Sequence, residues 1–235
     1  MAIKAILFDL DGTLVPMDQE VFIGDYFKRI STALAPYGYD PKQFVDTIWK
    51  GTAAMIKNDS DKINEEVFWD TAVSILGERV LKDKVQFDKF YETEFDKIKA
   101  VCGYNPKAKE CVDTLKEMGY KVALATNPLF PEIATRLRMS WAGFVPEDFE
   151  LYTTYENINC CKPNPKYYVE VAARIGCAPE ECLMVGNDVS DDMPAASTGM
   201  KVFLLTDCLI NSKDEDIKKY PNGSFDELMD YVKTI

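Results

Sequence analysis

The sequence predicts an α/β fold, with a Rossmann-like parallel sheet core and an inserted all-helical domain. Three observations support this prediction. A short apolar run lies near the start of the chain, short apolar runs alternate with helical segments from residue 105 onward, and the stretch between them has only helical periodicity. Alternation of strands and helices on this scale is typical of a parallel sheet covered by helices on both faces.

The first apolar run, residues 3–8, has the length of a buried strand. Two carboxylates, Asp9 and Asp11, come directly after it, and Gly12 lets the backbone turn away from the strand. In an open parallel sheet, ligands bind at the carboxyl edge of the strands. We therefore expect Asp9 and Asp11 to lie at a ligand-binding edge.

The second segment, residues 17–100, repeats its apolar residues at helical spacing and predicts about four helices. Asp40-Pro41 and Asn64 are plausible helix starts, and residues 87–98 form the last predicted helix. Most of its aromatic residues are expected in a core. Four residues are additional candidates for substrate contact: Met17, Phe22, Trp49 and Met55.

The third segment alternates predicted strands and helices. The strands are expected at 121–125, 151–154, 182–185 and 202–205, and the helices at 106–118, 131–139, 166–175, 194–198 and 225–232. The helical insertion therefore interrupts a single core. We predict a core domain of residues 1–16 plus 101–235 and a helical cap domain of residues 17–100.

The composition of the 235 residues disfavours several classes of function. A formal net charge of −12 argues against nucleic acid and acidic membranes as partners, because both bind basic surfaces. The chain has no histidine, which excludes Ser-His-Asp and Cys-His catalysis. We expect neither a signal peptide nor a membrane span. Seven scattered cysteines indicate free thiols in a reducing compartment, so we predict a cytoplasmic protein.

Polar residues come after four of the predicted strands. The first strand is followed by Asp9 and Asp11, and the second by Thr126 and Asn127, whose hydroxyl and amide can donate to phosphate oxygens. Lys162 lies between the third strand and a helix, in a loop with two prolines. Residues 186–192, at the end of the fourth strand, contain three acids and two amide or hydroxyl side chains. Parallel strands would bring all four sets to one edge of the sheet.

The paired carboxylates suggest a particular chemistry. Two anions this close repel each other unless a cation lies between them or one is protonated. A few hard oxygen ligands, with room for water and a substrate phosphate, suit Mg²⁺. One carboxylate could then attack phosphorus, while the other protonates the leaving group and activates water. The alternative for Asp9 and Asp11 alone is an ordinary turn with two solvated acids.

The combination of these sites resembles the haloacid dehalogenase superfamily, whose members include Mg²⁺-dependent aspartyl phosphatases and phosphotransferases. Its first motif is matched by Asp9-Leu10-Asp11-Gly12-Thr13, its second by Thr126, its third by Lys162 and its fourth by residues 188–192. A helical insertion directly after the first motif is similar to the C1 cap of the family. The span between Thr126 and Lys162 is too short for another cap domain.

The fourth motif departs from the Gly-Asp pattern of the family, because Asn187 separates Gly186 from the next acid. If Asn187 takes the place of the glycine, Asp188 and Asp192 have the family spacing. If Gly186 is the anchor, Asn187 and Asp191 have it instead. We favour Asp188 as a metal ligand, since a charged oxygen binds Mg²⁺ better than an amide does.

The resemblance implies a Mg²⁺-dependent phosphomonoester hydrolase with Asp9 as nucleophile and Asp11 as general acid and base. The implied phosphate-binding residues are Thr126, Asn127 and Lys162. The implied metal ligands are Asp9, Asp11 through its main-chain carbonyl, and Asp188, with Asp192, Asp191 and Asn187 as alternatives.

Other functions remain open at this point. A phosphotransferase such as a sugar-phosphate mutase would use the same residues. A haloacid dehalogenase is disfavoured by the acid at Asp11, a phospho-receiver domain by the length of the chain, and a binding protein without catalysis by the complete set of motifs. We expect the partner to be a small phosphorylated metabolite and the chain to be a monomer or a homodimer.

Overall fold

The computed structural model describes residues 2–235. Its six strands are β1 (Ala5–Phe8), β2 (Lys121–Leu124), β3 (Leu151–Tyr152), β4 (Cys182–Gly186), β5 (Lys201–Leu205) and β6 (Asn222–Gly223). They form one sheet in the order β3-β2-β1-β4-β5-β6, and every neighbouring pair is parallel. The α/β fold with a parallel sheet is therefore confirmed.

The central strand β1 fixes where the candidate site residues lie. All four of its residues are buried, as expected for a strand covered on both faces. Its last residue, Phe8, is in register with Leu124 of β2 and Val185 of β4. The loops after these three strands therefore leave the sheet side by side, at the same edge.

The helices between β1 and β2 begin with α1 (Gln19–Leu34), α2 (Pro41–Ile56), α3 (Asn64–Leu76), α4 (Arg79–Lys82) and α5 (Lys84–Thr93), and a 3₁₀ helix covers Phe95–Val101. The later helices are α6 (Pro106–Glu117), α7 (Glu132–Trp141), α8 (Pro165–Arg174) and α9 (Phe225–Val232). Asp40 caps α2 and Asn105 caps α6, each followed by a proline in the first turn, which confirms the predicted start at Asp40-Pro41 and the predicted beginning of a helix at residue 106.

Hydrophobic cores lie on both faces of the sheet. Ile6 and Phe8 of β1 face a core shared with the inserted helices, α6, α7 and α9, whereas Ala5 and Leu7 face a second core that includes α8. The alternation follows from the two-residue period of a strand. The inserted helices thus pack on the sheet domain through one continuous apolar core.

Helix α3 connects the insertion to the loops of the sheet domain. The main-chain amide of Asn64 donates to the carbonyl of Ile158 at 3.0 Å, and that of Glu65 donates to the carbonyl of Tyr155 at 2.8 Å. The fully buried Asn64 side chain donates to the carbonyl of Pro128 at 3.3 Å. Asn64 is the first residue of α3, with Ile63 at the cap position, so its side chain serves this contact rather than capping the helix.

Three other elements differ from the sequence prediction. The helix predicted at 87–98 is divided, because the chain bends at Glu94 and buries Phe95 completely beneath the inserted helices. The short helix predicted at 194–198 is a 3₁₀ helix, Met193–Thr198. Strand β6 was not predicted, since Asn222-Gly223 has the composition of a turn; it forms a two-residue edge strand beside β5.

Within residues 2–235, no helix combines the length and the apolar character that crossing a bilayer requires. The division into a core of 1–16 plus 101–235 and a cap of 17–100 stays a prediction.

Candidate active site

The centre of the candidate site is a buried ion-pair cluster at the carboxyl edge of the sheet. The Lys162 ammonium lies 2.8 Å from Asp9 Oδ1 and 2.7 Å from Asp192 Oδ1, and all three residues are buried. Asp9 comes after β1, Lys162 precedes α8, and Asp192 comes after β4. Residues that are 153 and 30 positions apart in the chain therefore meet around one ammonium group.

The two carboxylates keep this lysine charged. Burial lowers the pKa of the Lys162 ammonium, but Asp192 and Asp9 together raise it well above its usual value. Burial also raises the pKa of the Asp192 carboxyl, against the opposite effect of Lys162. A buried ammonium that already faces a carboxylate can also neutralise phosphoryl oxygens brought to the same place.

The turn after β1 is held by a second set of contacts. The Thr13 hydroxyl lies 3.1 Å from Asp9 Oδ2 and 3.0 Å from Asn187 Oδ1, and the Asn187 amide donates to the carbonyl of Cys208 at 2.6 Å. Gly12 has a φ of +79°, and a Cβ there would collide with the Asn187 side chain. Glycine is therefore required at this position by both backbone conformation and space.

Asp11 pairs with a different cation from Asp9. Its carboxylate forms an ion pair with the guanidinium of Arg138, which is fully buried on α7. Burial raises the pKa of the Asp11 carboxyl, Arg138 lowers it, and the nearby charge of Asp9 raises it again. Its Oδ1 atom is buried and has no hydrogen-bond partner among residues 2–235.

Arg138 is itself fixed by its neighbours. It donates to the carbonyl of Ala134 and to Thr135 Oγ1, both at 3.3 Å, and its guanidinium carbon lies 4.6 Å from the centre of the Phe130 ring. Arg138 was not among the predicted site residues. A signal was available, because it shares a helix face with Ala134 and Trp141, and a cation on an apolar face requires a buried partner.

The second strand end contributes Thr126 and Asn127. The main-chain carbonyl of Thr126 accepts hydrogen bonds from Thr153 Oγ1 at 2.6 Å and from the Tyr167 hydroxyl at 2.7 Å, which fixes the backbone there. The Asn127 amide donates to Asp191 Oδ2 at 3.1 Å. In the described part of the chain, the buried Asn127 Oδ1 has no hydrogen-bond partner.

Asp188 is oriented by its own loop. Its Oδ1 accepts the main-chain amides of Ser190 at 2.7 Å and Asp191 at 3.2 Å, and its own amide donates to Asp192 Oδ2 at 2.9 Å. Burial raises the pKa of the Asp188 carboxyl, and the charge of Asp9 contributes in the same direction. Like charges therefore act on the Asp188 carboxylate, from Asp191 first and from Asp9 second.

The donor set can be tested against a divalent cation. Across residues 2–235, no three acidic or thiol side chains converge closely enough to enclose a metal ion. The set expected from the sequence needs only two carboxylates, from Asp9 and Asp188, and the main-chain carbonyl of Asp11. Repulsion between these two carboxylates and the hardness of their oxygens fit Mg²⁺, which binds few protein ligands and retains water.

A cavity of about 640 Å³ reaches the site from the inserted helices. Asp11, Asn127 and Asp191 belong to its wall, and most of the remaining wall consists of apolar and aromatic side chains from α1, α2, α3 and α5. Its volume is in the usual range for small-molecule sites. Of the four candidates for substrate contact, Trp49 lines this cavity, whereas Met17, Phe22 and Met55 are buried outside its wall.

Known proteins resemble this chain over most of its length. The model of the haloacid dehalogenase-like hydrolase family matches residues 3–198. Pyrophosphatase PpaX of Bacillus velezensis is 26% identical over 199 residues, which cover 85% of this chain and 81% of that protein. Phosphoglycolate phosphatase of Mannheimia succiniciproducens is 26% identical over 236 residues, which cover 99% of this chain and 98% of that protein.

Solved structures share the fold at lower identity. A 2-haloacid dehalogenase from Pseudomonas syringae pv. tomato superposes with a TM-score of 0.65 at 18% identity, over 99% of both chains. A predicted phosphoglycolate phosphatase from Haemophilus somnus superposes with a TM-score of 0.60 at 21% identity, over 97% of both chains.

The matched range contains all four strand-end loops of the candidate site. The prediction of this family and the prediction of a hydrolytic enzyme are both confirmed. The chain belongs to the haloacid dehalogenase-like hydrolase family.

Proposed function

We propose that this hydrolase is a Mg²⁺-dependent phosphatase that cleaves a small phosphomonoester through an aspartyl-phosphate on Asp9. The observation that carries the proposal is the Lys162 ammonium between Asp9 and Asp192, with the Asp11–Arg138 pair beside it. This arrangement provides a nucleophile, a cation for phosphoryl oxygens and a separate acid within one site.

Asp9 acts as the nucleophile. Lys162 and Thr13 each donate to one of its carboxylate oxygens, which orients the group. One oxygen attacks phosphorus, the bond from phosphorus to the leaving oxygen breaks, and Lys162 stabilises the charge on the phosphoryl oxygens. Thr126 and Asn127, at the end of the neighbouring strand, bind the remaining phosphoryl oxygens.

Asp11 transfers the protons. In the first step it protonates the leaving oxygen, and in the second it takes a proton from the water that attacks the aspartyl-phosphate. The ion pair with Arg138 holds the carboxyl at the wall of the cavity, on the side from which the ester group would enter. Attack by water releases phosphate and restores Asp9.

Asp9, the Asp11 carbonyl and Asp188 would hold Mg²⁺, which supplies positive charge to the phosphoryl oxygens when bound. The contacts of two alternative ligands, Asn187 and Asp192, favour Asp188 as the ligand from this loop. The Asn187 amide donates to the carbonyl of Cys208, and both carboxylate oxygens of Asp192 are engaged, one by Lys162 and the other by the main-chain amide of Asp188. Asp188 makes its side-chain hydrogen bonds through Oδ1 alone among the described residues, which leaves Oδ2 for a cation.

The relatives support phosphoester chemistry over dehalogenation. Two of them carry the names pyrophosphatase and phosphoglycolate phosphatase. A dehalogenase among the solved structures shares the fold at 18% identity. We further propose that the substrate is a small phosphorylated metabolite rather than a nucleic acid or membrane lipid, and that the seven free cysteines reflect a reducing compartment such as the cytoplasm.

The test is hydrolysis of p-nitrophenyl phosphate with Mg²⁺ by the parent and by Asp9→Asn. The control Asp46→Asn makes the same change at an exposed site on α2. We expect Asp9→Asn to lose at least about 10³-fold in turnover, as when a nucleophile is removed, and Asp46→Asn to match the parent. Undiminished turnover by Asp9→Asn would reject the mechanism. Adding an alcohol acceptor and measuring phosphoryl transfer against phosphate release separates a phosphatase from a phosphotransferase.

A further inference from the structure

The cavity beside Asp11 has an unusual wall for an enzyme whose substrates would carry a second anionic group besides the phosphate. Aromatic rings from the inserted helices form much of it. The rings of Phe27 and Trp49 lie with their centres 5.2 Å apart, and those of Trp69 and Phe87 are also 5.2 Å apart, in an edge-to-face arrangement. Such surfaces bind flat apolar groups through area and ring contacts.

The charged groups in the wall are all acids. They are Asp11, Glu20, Asp88 and Asp191, and no lysine or arginine of residues 2–235 lines the cavity. Nearby cations are already paired: Arg138 with Asp11, and Lys84 with Glu65. A second anionic group on a substrate would therefore enter an apolar, negatively charged space without a counter-charge.

The hydroxyl groups in the wall do not alter this balance. Tyr26 and Tyr91 hydrogen-bond to each other through their hydroxyls at 3.0 Å, and burial raises the pKa of both. They remain neutral and largely satisfy each other. The wall also contains the hydroxyls of Thr52 and Tyr155 and the buried Trp69 indole nitrogen, which has no hydrogen-bond partner among residues 2–235. These donors are neutral, so the cavity offers apolar contact and negative charge but no positive charge to a carboxylate or a second phosphate.

We propose that the substrate is a phosphomonoester whose leaving group is a flat, apolar ring system without a second anionic group. This inference rests on the proposed phosphatase function and adds the substrate class. Pyrophosphate and phosphoglycolate, which the names of two relatives indicate, each carry a further negative charge and no ring. They are poor matches to this cavity, although the phosphate site at Asp9 and Lys162 would accept them.

The first experiment compares substrates that differ in one charge. Phenyl phosphate and 4-carboxyphenyl phosphate are assayed with Mg²⁺, together with 2-naphthyl phosphate and phosphoglycolate. We expect kcat/KM for phenyl phosphate to exceed that for the carboxylated ester by at least about tenfold, and 2-naphthyl phosphate to exceed phosphoglycolate by more. Equal or reversed ratios would overturn the inference while leaving the phosphatase function intact.

The second experiment changes the cavity at Gly24 of α1. Gly24 lines the cavity, and a Cβ added there would have no heavy atom within 4 Å, so a side chain can begin at this position without a clash at its first atom. Val21, on the same helix, is 50% exposed and outside the wall, which makes it the matched control. Gly24→Lys should shift the phenyl to carboxyphenyl ratio at least about fivefold towards the anionic ester, because it supplies the missing cation, whereas Val21→Lys should leave the ratio unchanged.

The same position tests size. Gly24→Phe should raise KM for 2-naphthyl phosphate more than for phenyl phosphate, and Val21→Phe should change neither. A ratio that Gly24→Lys and Gly24→Phe leave unmoved would show that the leaving group lies elsewhere.

A binding measurement separates failure of this inference from failure of the proposed function. Calorimetric titration with 2-naphthol should show saturable binding that Gly24→Phe weakens, and 6-hydroxy-2-naphthoate should bind at least about tenfold more weakly. Turnover of p-nitrophenyl phosphate without naphthol binding would overturn the substrate class alone. Naphthol binding in a protein that cleaves no phosphoester would reject the phosphatase and retain the cavity as a site for apolar rings.

Discussion

Replacing Arg138 with methionine should impair the proton transfer assigned to Asp11 while leaving the nucleophile in place. Arg138 is fully buried, donates to Asp11, Ala134 and Thr135, and lies over the Phe130 ring. Methionine has a similar length and is apolar, so it can fill the space beside the ring. The variant loses the charge that holds the Asp11 carboxyl.

The size of the effect depends on the role of Asp11. General acid catalysis contributes about 10²–10⁴ in rate, and loss of the group that orients the acid should remove part of this, about 10- to 100-fold. A loss of that size corresponds to about 1.4–2.7 kcal/mol in the activation free energy. The cost in stability should be about 2 kcal/mol, since a charged hydrogen bond is lost but Asp11 keeps 23% side-chain exposure and can be solvated.

The assay is kcat/KM for two esters that differ in their need for an acid. p-Nitrophenolate departs without protonation, whereas an alkoxide from an alkyl phosphate requires it. Arg138→Met should therefore lose about tenfold more activity on the alkyl ester than on p-nitrophenyl phosphate, and Arg138→Lys, which keeps a positive charge, should recover part of the difference. Equal losses on both esters would indicate a purely structural role for Arg138 and refute the reasoning.

Three further results are expected. Gly12→Ala should lower the free energy of unfolding by about 1–3 kcal/mol in urea titrations, because residue 12 has a positive φ and a Cβ there would collide with Asn187. Adding Asn187→Ala to this variant should recover part of the loss. An unchanged urea midpoint for Gly12→Ala would contradict this contact. Lys162→Met should lower the free energy of unfolding by about 3–5 kcal/mol, since it leaves Asp9 and Asp192 buried without a counter-charge. A decrease below about 0.5 kcal/mol in the same titration would disprove the pairing. Chelation with EDTA should abolish phosphatase activity, and added Mg²⁺ should restore the activity. Ca²⁺ should not restore it, because Ca²⁺ prefers longer bonds and more ligands than Mg²⁺ does. Full activity in EDTA would show that the reaction needs no metal ion.

The strand ends of the site could be predicted because they depend on local patterns. A fully buried strand such as β1 appears in the sequence as an uninterrupted apolar run, and parallel pairing places the loop after β1 beside the loops after β2 and β4. The contact between Asp9 and Lys162 is a consequence of that topology, although 153 positions separate the two residues.

The partners of Asp11 and the cavity could not be predicted in the same way. The contact between Arg138 and Asp11 depends on the rotation of α7 about its own axis and on its distance from β1, which periodicity alone does not define. The break at Glu94 and the two-residue strand β6 are likewise decided by tertiary packing, around Phe95 and along β5, rather than by local preference. Cap residues such as Trp49 and Gly24 acquire a role only when four helices from separate segments assemble around one space.

The most direct test of the proposed chemistry is detection of the phosphorylated enzyme. Asp11→Asn should still be phosphorylated by p-nitrophenyl phosphate, whose leaving group needs no acid, but should hydrolyse the intermediate slowly for lack of a base. Rapid acid quenching and mass spectrometry should then show one phosphoryl group, labile to hydroxylamine, on the peptide that contains Asp9. A phosphoryl group on any other residue, or one that persists in Asp9→Asn, would contradict the assignment of the nucleophile.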